Sequence, residues 1–486
     1  MISKFKYLML LIFMLVSIGV KSQEMLGLGF SNYSGISGKI INPAFLTGSK
    51  VYLDVNIAGV GIFLDNNFAY IPKDSTNIWS LLRGDSISSN YGPYRYNNFY
   101  TYYKNKPNYS FASVNTVMGP SLMIQDGKQA FGVGIAFRNY ESSHNSPGQV
   151  LRALYNGVAD TGVIGQNTNF QNLQFTSLSW NELSFNYAYD FYERYGNKLT
   201  AGIEMKILYG VEGFYTSIDD LKYHRIDKNH IQIDTLNATI GFALPVNYNN
   251  STKANLNPWD KGHGVGFNIG IVYTKNKSTI SVKGEKSLCA KPYEDYQYRI
   301  GLSIMDIGRI RFNRFSQLHQ FNTGNISKEI KSLGDYQTIN TSMRSLSYLI
   351  YGDSTLSLKD STVFMSLPTA LSLQFDFHSK KNFYLSGFWI QPLRFQNKSL
   401  RRPAQLAVIP RYETRLLGVS LPVSLYDYQK LRLGLAIRIY TLTIGTEKLG
   451  TLLGTSDLTG LDFYFNIKFN LLKGTCLSWK RGACQR

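Results

Sequence analysis

Apolar and polar residues alternate along many segments of this chain. In residues 183–190 the large apolar side chains are Leu183, Phe185, Tyr187 and Tyr189, and the residues between them are polar or small. Because successive side chains of a β-strand point to opposite faces, this period of two predicts a strand with one apolar face. Comparable alternation occurs in residues 51–57, 130–138, 199–209, 265–274, 298–304, 371–378, 431–440 and 461–470.

Five further segments alternate less regularly, and we also predict them to be strands. They are residues 110–118, 230–244, 383–389, 404–415 and 416–425. The total is about fourteen strands. Many of them are about ten residues long, which suits a tilted crossing of a hydrocarbon layer, whereas strands in soluble proteins average five or six residues.

The connections between these strands fall into two classes. Residues 192–198 and 379–382 form short connections, whereas residues 71–109, 139–172, 245–261 and 309–364 form long ones that are rich in Asn, Ser and Tyr. Short periplasmic turns and long outer loops are typical of outer-membrane barrels. Since an open sheet edge cannot face lipid, the sequence predicts an all-β fold, a closed antiparallel transmembrane β-barrel.

The first 22 residues have the composition of a secretory signal peptide. Lys4 and Lys6 precede an apolar stretch that ends in small residues before Gln23. No later run of 18 or more apolar residues occurs, so the sequence excludes helical membrane spans. We therefore predict export to the bacterial outer membrane.

The formal net charge is +19, and Lys and Arg are spread along the whole chain without a run of five. This distribution, together with the export signal, argues against nucleic acid as a partner. Outer-membrane lipid and anionic glycolipid are the partners that such a charge favours. With 14% aromatic and only 17% charged residues, the chain is also unlike a disordered protein. We predict that the barrel is monomeric.

A glycine-rich segment, residues 23–50, precedes the first strand and contains Asn42-Pro43-Ala44. In this arrangement the chain resembles FadL-type outer-membrane barrels and their Bacteroidetes relatives, including PorV-like barrels, and most of all an uncharacterised Bacteroidetes barrel family. The resemblance implies an N-terminal plug in residues 23–50, a barrel in residues 51–472 and a basic tail in residues 473–486. A plain turn before a strand explains the tripeptide equally well.

Charged residues on the polar faces of the strands are the candidate lumen residues. A solute conduit uses such charges for selection, whereas a closed barrel fills its interior with an ion-pair lattice, which is the interpretation we favour. The candidates are Asp54, Asp190, Glu204, Lys206, Arg299, Asp376, Arg432 and Arg438, with Asp462 and Lys468 in the last strand.

A dense run of tyrosines lies in the first long connection. A tyrosine ring has an apolar face and a polar tip, so the run predicts a loop that binds a protein partner or a glycan. An interfacial aromatic girdle is the alternative. The residues are Tyr91, Tyr94, Tyr96, Tyr100, Tyr102 and Tyr103.

Sequence motifs for catalysis are lacking. The six histidines have no metal-ligand spacing, and no phosphate-binding loop or nucleophile elbow occurs. We therefore predict a protein that is not an enzyme and needs no cofactor or metal. Cys476 and Cys484 lie eight residues apart in the tail, and the sequence leaves open whether they pair.

Three functions are compatible with this sequence. The first is a PorV-like barrel that binds protein partners in secretion or surface assembly. The alternative is a FadL-like passage for hydrophobic or small solutes across the outer membrane. The third is a soluble exported β-protein.

Overall fold

The computed structural model of the chain describes residues 24–74, 78–83, 101–102, 109–148, 167–227, 230–254, 258–278, 293–329, 338–393 and 400–474. The strands are β1 (Val51–Asn66), β2 (Ala69–Tyr70), β3 (Thr101–Tyr102), β4 (Tyr109–Asp126), β5 (Gln129–Ser146), β6 (Asn167–Arg194), β7 (Asn197–Arg225), β8 (His230–Ala243), β9 (Val246–Asn247), β10 (Asn250–Ala254), β11 (Gly262–Asn276), β12 (Tyr296–Phe312), β13 (Ser316–Glu329), β14 (Leu358–Asp360), β15 (Val363–Ser366), β16 (Ala370–His378), β17 (Phe383–Pro392), β18 (Gln405–Glu413), β19 (Leu417–Ser420), β20 (Val423–Tyr426), β21 (Lys430–Leu433), β22 (Leu435–Ile439), β23 (Leu442–Thr446) and β24 (Asp462–Leu472). The α-helices are α1 (Leu26–Gly29), α2 (Ile78–Arg83), α3 (Ile339–Tyr351) and α4 (Leu449–Leu452), and two 3₁₀-helices span Gly35–Ile40 and Pro43–Leu46.

The main sheet closes on itself because β1 pairs antiparallel with β24 on one side and with β4 on the other. Following the pairings around the wall gives fourteen antiparallel crossings. Three of these crossings consist of two consecutive strands, namely β15 with β16, β19 with β20, and β21 with β22. The predicted closed barrel is confirmed.

The strand count of fourteen was reached through two errors that cancel. Residues 230–244 were predicted to cross the membrane, but β8 pairs with the outer half of β7 and with β13, outside the closed circuit. The crossing that the sequence analysis missed is β23. It is only five residues long and follows β22 after a tight turn at Tyr440, where φ is +49°. The predicted strand 431–440 ended at that turn, and so short a run of alternation was not assigned a strand of its own.

Several strands extend well past their predicted ends. β6 has 28 residues and β7 has 29, although the alternation predicted about ten, and the predicted loop 139–172 is partly strand. The predicted loop 309–364 likewise contains β13 and α3. Beyond the hydrocarbon layer one face no longer needs to be apolar, so the alternation fades while the hydrogen-bonded ladder continues.

The wall is apolar outside and polar inside. In β7 the outward side chains of Ile203 and Met205 are 43% and 42% exposed, whereas Glu204 and Lys206 between them are 2% and 3% exposed. Other strands repeat this order, with Phe375 outside and Asp376 inside in β16. Apolar residues face outward at these positions because the surroundings are lipid, so the pattern is that of a transmembrane barrel.

Residues 24–50, hereafter the N-terminal segment, are folded among the inward-facing side chains. Most of the segment is buried, and its helices contact β1, β4, β6, β7, β11 and β22. Leu26, Phe30 and Phe45 pack with inward side chains of β16, β17 and β18. Whether the segment acts as a plug that blocks passage stays a prediction.

The two ends of the barrel differ. The end at which β1 begins and β24 finishes carries the tight turns at residues 127–128, 195–196 and 440–441, and we call it the short-turn end. At the opposite, long-loop end, inward apolar side chains form a continuous buried cluster that includes Phe63, Trp180, Phe312 and Met365. Among the described residues, no helix has the length and apolar character needed to span a membrane.

Candidate functional site

Asn42-Pro43-Ala44 starts a 3₁₀-helix and fixes it to the wall. The Asn42 side chain accepts a hydrogen bond from the Ala44 amide (2.9 Å), and Pro43 occupies the first helical position, where its missing N–H costs nothing. The Nδ2 group of the Asn42 side chain donates to the Gln374 side chain (2.9 Å) and towards the carbonyl oxygens of Ile271 and Leu302 (3.4 and 3.3 Å). The tripeptide is therefore a helix cap that also anchors the N-terminal segment.

Three glycines on neighbouring strands receive this anchor. A Cβ on Gly202 of β7 would lie 2.3 Å from the Ala44 nitrogen, and one on Gly270 of β11 would lie 2.1 Å from Asn42 Oδ1. Gly301 of β12 lies beside the Asn42 and Gln374 side chains. Since no side chain fits at these places, we call the three residues the glycine seam. It explains why a glycine interrupts each of these strands.

The ten predicted lumen charges all point inward and are buried. Asp54 accepts a hydrogen bond from the Ile36 amide (2.8 Å), and Asp190 accepts one from Thr47 (2.7 Å) and pairs with Lys198 (3.2 Å). These carboxylates therefore bind the N-terminal segment to the wall. Whether the charges also select solutes stays a prediction.

One carboxylate hub lies near the short-turn end and is centred on Asp376. Its two oxygens accept hydrogen bonds from Arg299 (2.6 Å), Arg411 (2.7 Å), Tyr296 (2.7 Å) and Ser386 (3.0 Å). Arg411 also pairs with Glu413 (2.6 Å) and donates to the Phe30 carbonyl oxygen in the N-terminal segment. The charges of this hub are thus paired within the packed lumen.

A second hub is centred on Asp306, nearer the long-loop end. Arg138 donates to both of its oxygens (2.7 and 3.0 Å), Lys206 to one (2.7 Å) and Arg402 to the other (3.3 Å). Asp306 lies in a β-bulge of β12, where its φ is +53°, and its amide donates to Asn268 (2.6 Å). The bulge turns this carboxylate towards the lumen.

The Asp306 hub extends to the N-terminal segment through two further ion pairs. Arg402, in the connection before β18, makes a bidentate contact with Glu24 (2.7 and 2.6 Å). Lys39 pairs with Glu204 (2.9 Å), which itself lies 3.7 Å from Lys206. Glu24 at the start of the segment is therefore held by the cation of Arg402, and Lys39 further along the segment is held by the anion of Glu204.

A third contact to the N-terminal segment comes from the connection between β23 and β24. Glu447 accepts hydrogen bonds from the Leu26 amide (3.0 Å) and from Gln405 (3.1 Å). Burial, and then the nearby Asp462 carboxylate, raise the pKa of Glu447 to about 8. Burial lowers the pKa of the adjacent Lys448 to about 8, although its ammonium lies 2.6 Å from Asp65.

A cavity of about 100 Å³, counted as the space open to the centre of a water molecule, lies between the N-terminal segment and β1, β4 and β5. Its lining combines apolar with charged side chains. The apolar ones are Met25, Ile36, Ile40, Val114, Met118 and Met305, and the charged ones belong to the Asp306 hub and the ion pairs around it. A lining of this mixed kind suits an amphipathic small molecule.

The barrel wall is irregular where it borders this cavity. Gly119 and Pro120 of β4 lie opposite the single residue Ile135 of β5, which is a β-bulge, and Pro120 has no N–H to donate. Ile135 lines the cavity, yet its side chain is 49% exposed on the outer face. The cavity thus reaches a lipid-facing residue at this point.

The family comparison covers most of the chain. A family model described as "Family of unknown function (DUF5723)" matches residues 43–447. The chain belongs to this DUF5723 family. No curated protein matches it.

Solved structures similar to this DUF5723 chain are barrels at low sequence identity. The TodX deltaS2S3 mutant monoaromatic hydrocarbon channel has a TM-score of 0.41 and 7% identity, over 90% of this chain and 95% of that one. A Pseudomonas aeruginosa FadL homologue has a TM-score of 0.38 and 12% identity, over 88% of this chain and 92% of that one. The Pseudomonas putida toluene transporter TodX has a TM-score of 0.31 and 9% identity, over 93% of this chain and 100% of that one. These similarities concern the fold alone, and the PorV-like resemblance stays a prediction.

Some predicted sites of the DUF5723 chain fall outside the described residues. Tyr91, Tyr94, Tyr96, Tyr100 and Tyr103 do so, as do both tail cysteines and the signal peptide. Of Tyr102 the structure gives only the backbone, which pairs with Ala69. Within the described ranges, no three His, Cys, Asp or Glu side chains are grouped as metal ligands. Partner binding by the tyrosine loop stays a prediction.

Sequence reasoning missed the centre of the cavity. Asp306 lies beyond the predicted strand 298–304, in a bulge that shifts the alternation, and Arg138 is the last residue of the predicted strand 130–138. Neither residue was singled out. Glu24 and Arg402 lie in connections, where alternation gives no information about direction. The repeated glycines of β7, β11 and β12 were the one local signal that pointed to a close approach of another backbone.

Proposed function

We propose that this barrel provides a passage for hydrophobic or small solutes across the outer membrane, and that it is not an enzyme. The observation that carries the proposal is the cavity beside the N-terminal segment, which is lined in part by apolar side chains and borders the bulged wall at Ile135. A barrel that served only as a scaffold would gain stability by filling such a space.

Buried side chains occupy much of the lumen in the described part of the chain. The apolar cluster around Phe63 and Phe312 lies at the long-loop end, and the N-terminal segment is buried among the inward-facing side chains. In this proposal a solute enters the cavity through the wall. The bulge at Gly119 and Pro120 is the candidate entrance, because it interrupts the hydrogen-bonded ladder and the lipid-facing side chain of Ile135 borders the space. In this proposal the N-terminal segment is the plug that must shift for release.

Uptake of N-phenylnaphthylamine, a hydrophobic dye that an intact outer membrane excludes, tests this function. Cells that display the barrel should take up the dye at least twice as fast as cells without it. Ala136→Trp places a bulky ring in the cavity and should abolish the gain. The matched control is Val133→Trp on the outer face of the same strand, which should keep it. Both variants are first checked for barrel folding by their heat-dependent shift on gels.

Two results would contradict the proposal. Equal dye uptake with and without the barrel would remove the passage function. A gain that Ala136→Trp and Val133→Trp leave equally intact would show that solutes do not use this cavity.

A further inference from the structure

The cavity lining contains eight charged side chains, four of each sign. The acids are Glu24, Glu182, Glu204 and Asp306, and the bases are Lys39, Arg138, Lys206 and Arg402. The formal charge of the lining is therefore zero, although the whole chain carries +19. The cavity lining is thus balanced in charge, whereas the chain as a whole is strongly basic.

Each base is already bound to an acid. Lys39 lies 2.9 Å from Glu204, Lys206 lies 2.7 Å from Asp306, and Arg402 lies 2.5 Å from Glu24. Arg138 completes the set with its contact to Asp306 at 2.7 Å and to Glu182 at 3.7 Å. Since all eight side chains are largely buried, an unpaired charge among them would be strongly unfavourable.

An ionic solute would meet this lining at a disadvantage. An anion loses its hydration on entry, and the cations that would compensate it are held by carboxylates, so binding would leave an acid without a partner. A cation faces the same difficulty with the bases. A neutral polar group can instead hydrogen-bond to the outer edges of the ion pairs without separating any of them.

We infer that the cavity selects uncharged amphipathic solutes and rejects ions of either sign. This inference rests on the proposed passage function and specifies its substrate class: a neutral hydrogen-bonding head with a short apolar tail. The tail would lie against Met25, Ile36 and Met118, of which the unbranched methionines adapt to different shapes. The paired charges then act as the filter.

Three six-carbon probes with the same tail test the inference. Binding of tritiated hexanol to the full barrel in lipid nanodiscs is measured by scintillation proximity, with empty nanodiscs as background. Unlabelled hexanoate and hexylammonium are the competitors. We expect both ions to compete at least about tenfold less well than unlabelled hexanol.

Two charge variants should alter the selectivity in opposite directions. Glu24→Gln leaves the lining with one excess positive charge, so the affinity ratio of hexanoate to hexanol should rise about tenfold. Lys39→Gln leaves one excess negative charge and should raise the ratio for hexylammonium instead. Glu193→Gln, which removes an acid near the short-turn end and outside the cavity, should change neither ratio.

The outcomes separate the inference from the function on which it rests. If hexanoate or hexylammonium competes as well as hexanol while dye uptake persists, the charge filter is wrong and the passage remains. If hexanol does not bind and the dye does not enter, the passage function fails and the inference fails with it. If both variants raise the affinity of both ions, the lining has merely loosened, and the inference is again overturned.

Discussion

The two carboxylate hubs inside the barrel use the same chemistry in different surroundings. Asp376 and Asp306 are both buried, and each accepts hydrogen bonds from two arginines. Asp376 lies in a packed region that also binds the N-terminal segment, whereas Asp306 borders the cavity. Ion pairing alone therefore does not distinguish a structural site from a solute site; the space beside it does.

The hubs also differ in whether their cations contact a second carboxylate. Around Asp306, Arg138, Lys206 and Arg402 each contact a second carboxylate, on Glu182, Glu204 and Glu24 respectively. Around Asp376, Arg411 has Glu413 as its second partner, while Arg299 reaches no second carboxylate among its ion pairs in the described part of the chain. We therefore expect the cavity side to tolerate the loss of a carboxylate better than the packed side.

The largest expected effect comes from breaking the two hubs in parallel. Asp376→Asn leaves Arg299 buried without a carboxylate and should cost about 3 to 5 kcal/mol of stability. Asp306→Asn should cost about half of that or less, since each cation keeps an acid, and Asn tolerates the left-handed backbone at this position. The temperature of the heat-dependent gel shift measures both. Equal losses would contradict the distinction between the hubs.

The next effect concerns the glycine seam. Gly270→Ala would place a methyl group 2.1 Å from Asn42 Oδ1 and should displace the N-terminal segment at a cost of about 1 to 3 kcal/mol. Gly387→Ala in β17 is the matched control, because the nearest atom there is 3.7 Å away. Limited proteolysis of the folded barrel should cleave the segment faster in Gly270→Ala only. Unchanged cleavage would show that the seam does not anchor the segment.

The sequence predicted the wall much better than the cavity. Alternation assigned Glu204, Lys206 and Asp376 to the lumen correctly, because a regular strand fixes side-chain direction every second residue. It failed at Asp306, where a bulge adds a residue and changes that direction. Pairing between Arg402 and Glu24 joins residues 378 positions apart, and no local pattern contains that information.

The last expected effect is a pH dependence at Glu447, where the β23–β24 connection holds the first turn of the N-terminal segment. The pKa of Glu447 is about 8 in the folded barrel and 4.5 as the ordinary value. Between these values the folded chain retains a proton that the unfolded chain has lost, so stability should fall as the pH rises from 4.5 to 8. Lys448 does not contribute in this window, because its pKa of about 8 lies at the upper limit.

Glu447→Gln keeps the size of this side chain and one of its two acceptor oxygens, and it removes the titration. The melting temperature of the wild-type barrel should therefore fall by a few degrees more than that of the variant between pH 5 and pH 8. Glu193→Gln, at the short-turn end, should behave like the wild type. If the melting temperatures of the wild type and of Glu447→Gln change equally with pH, the folded barrel does not hold a proton on Glu447. The segment would then be held by a charged carboxylate, as at Asp376, and this contact would belong with the packed hub rather than with the adjustable side of the lumen.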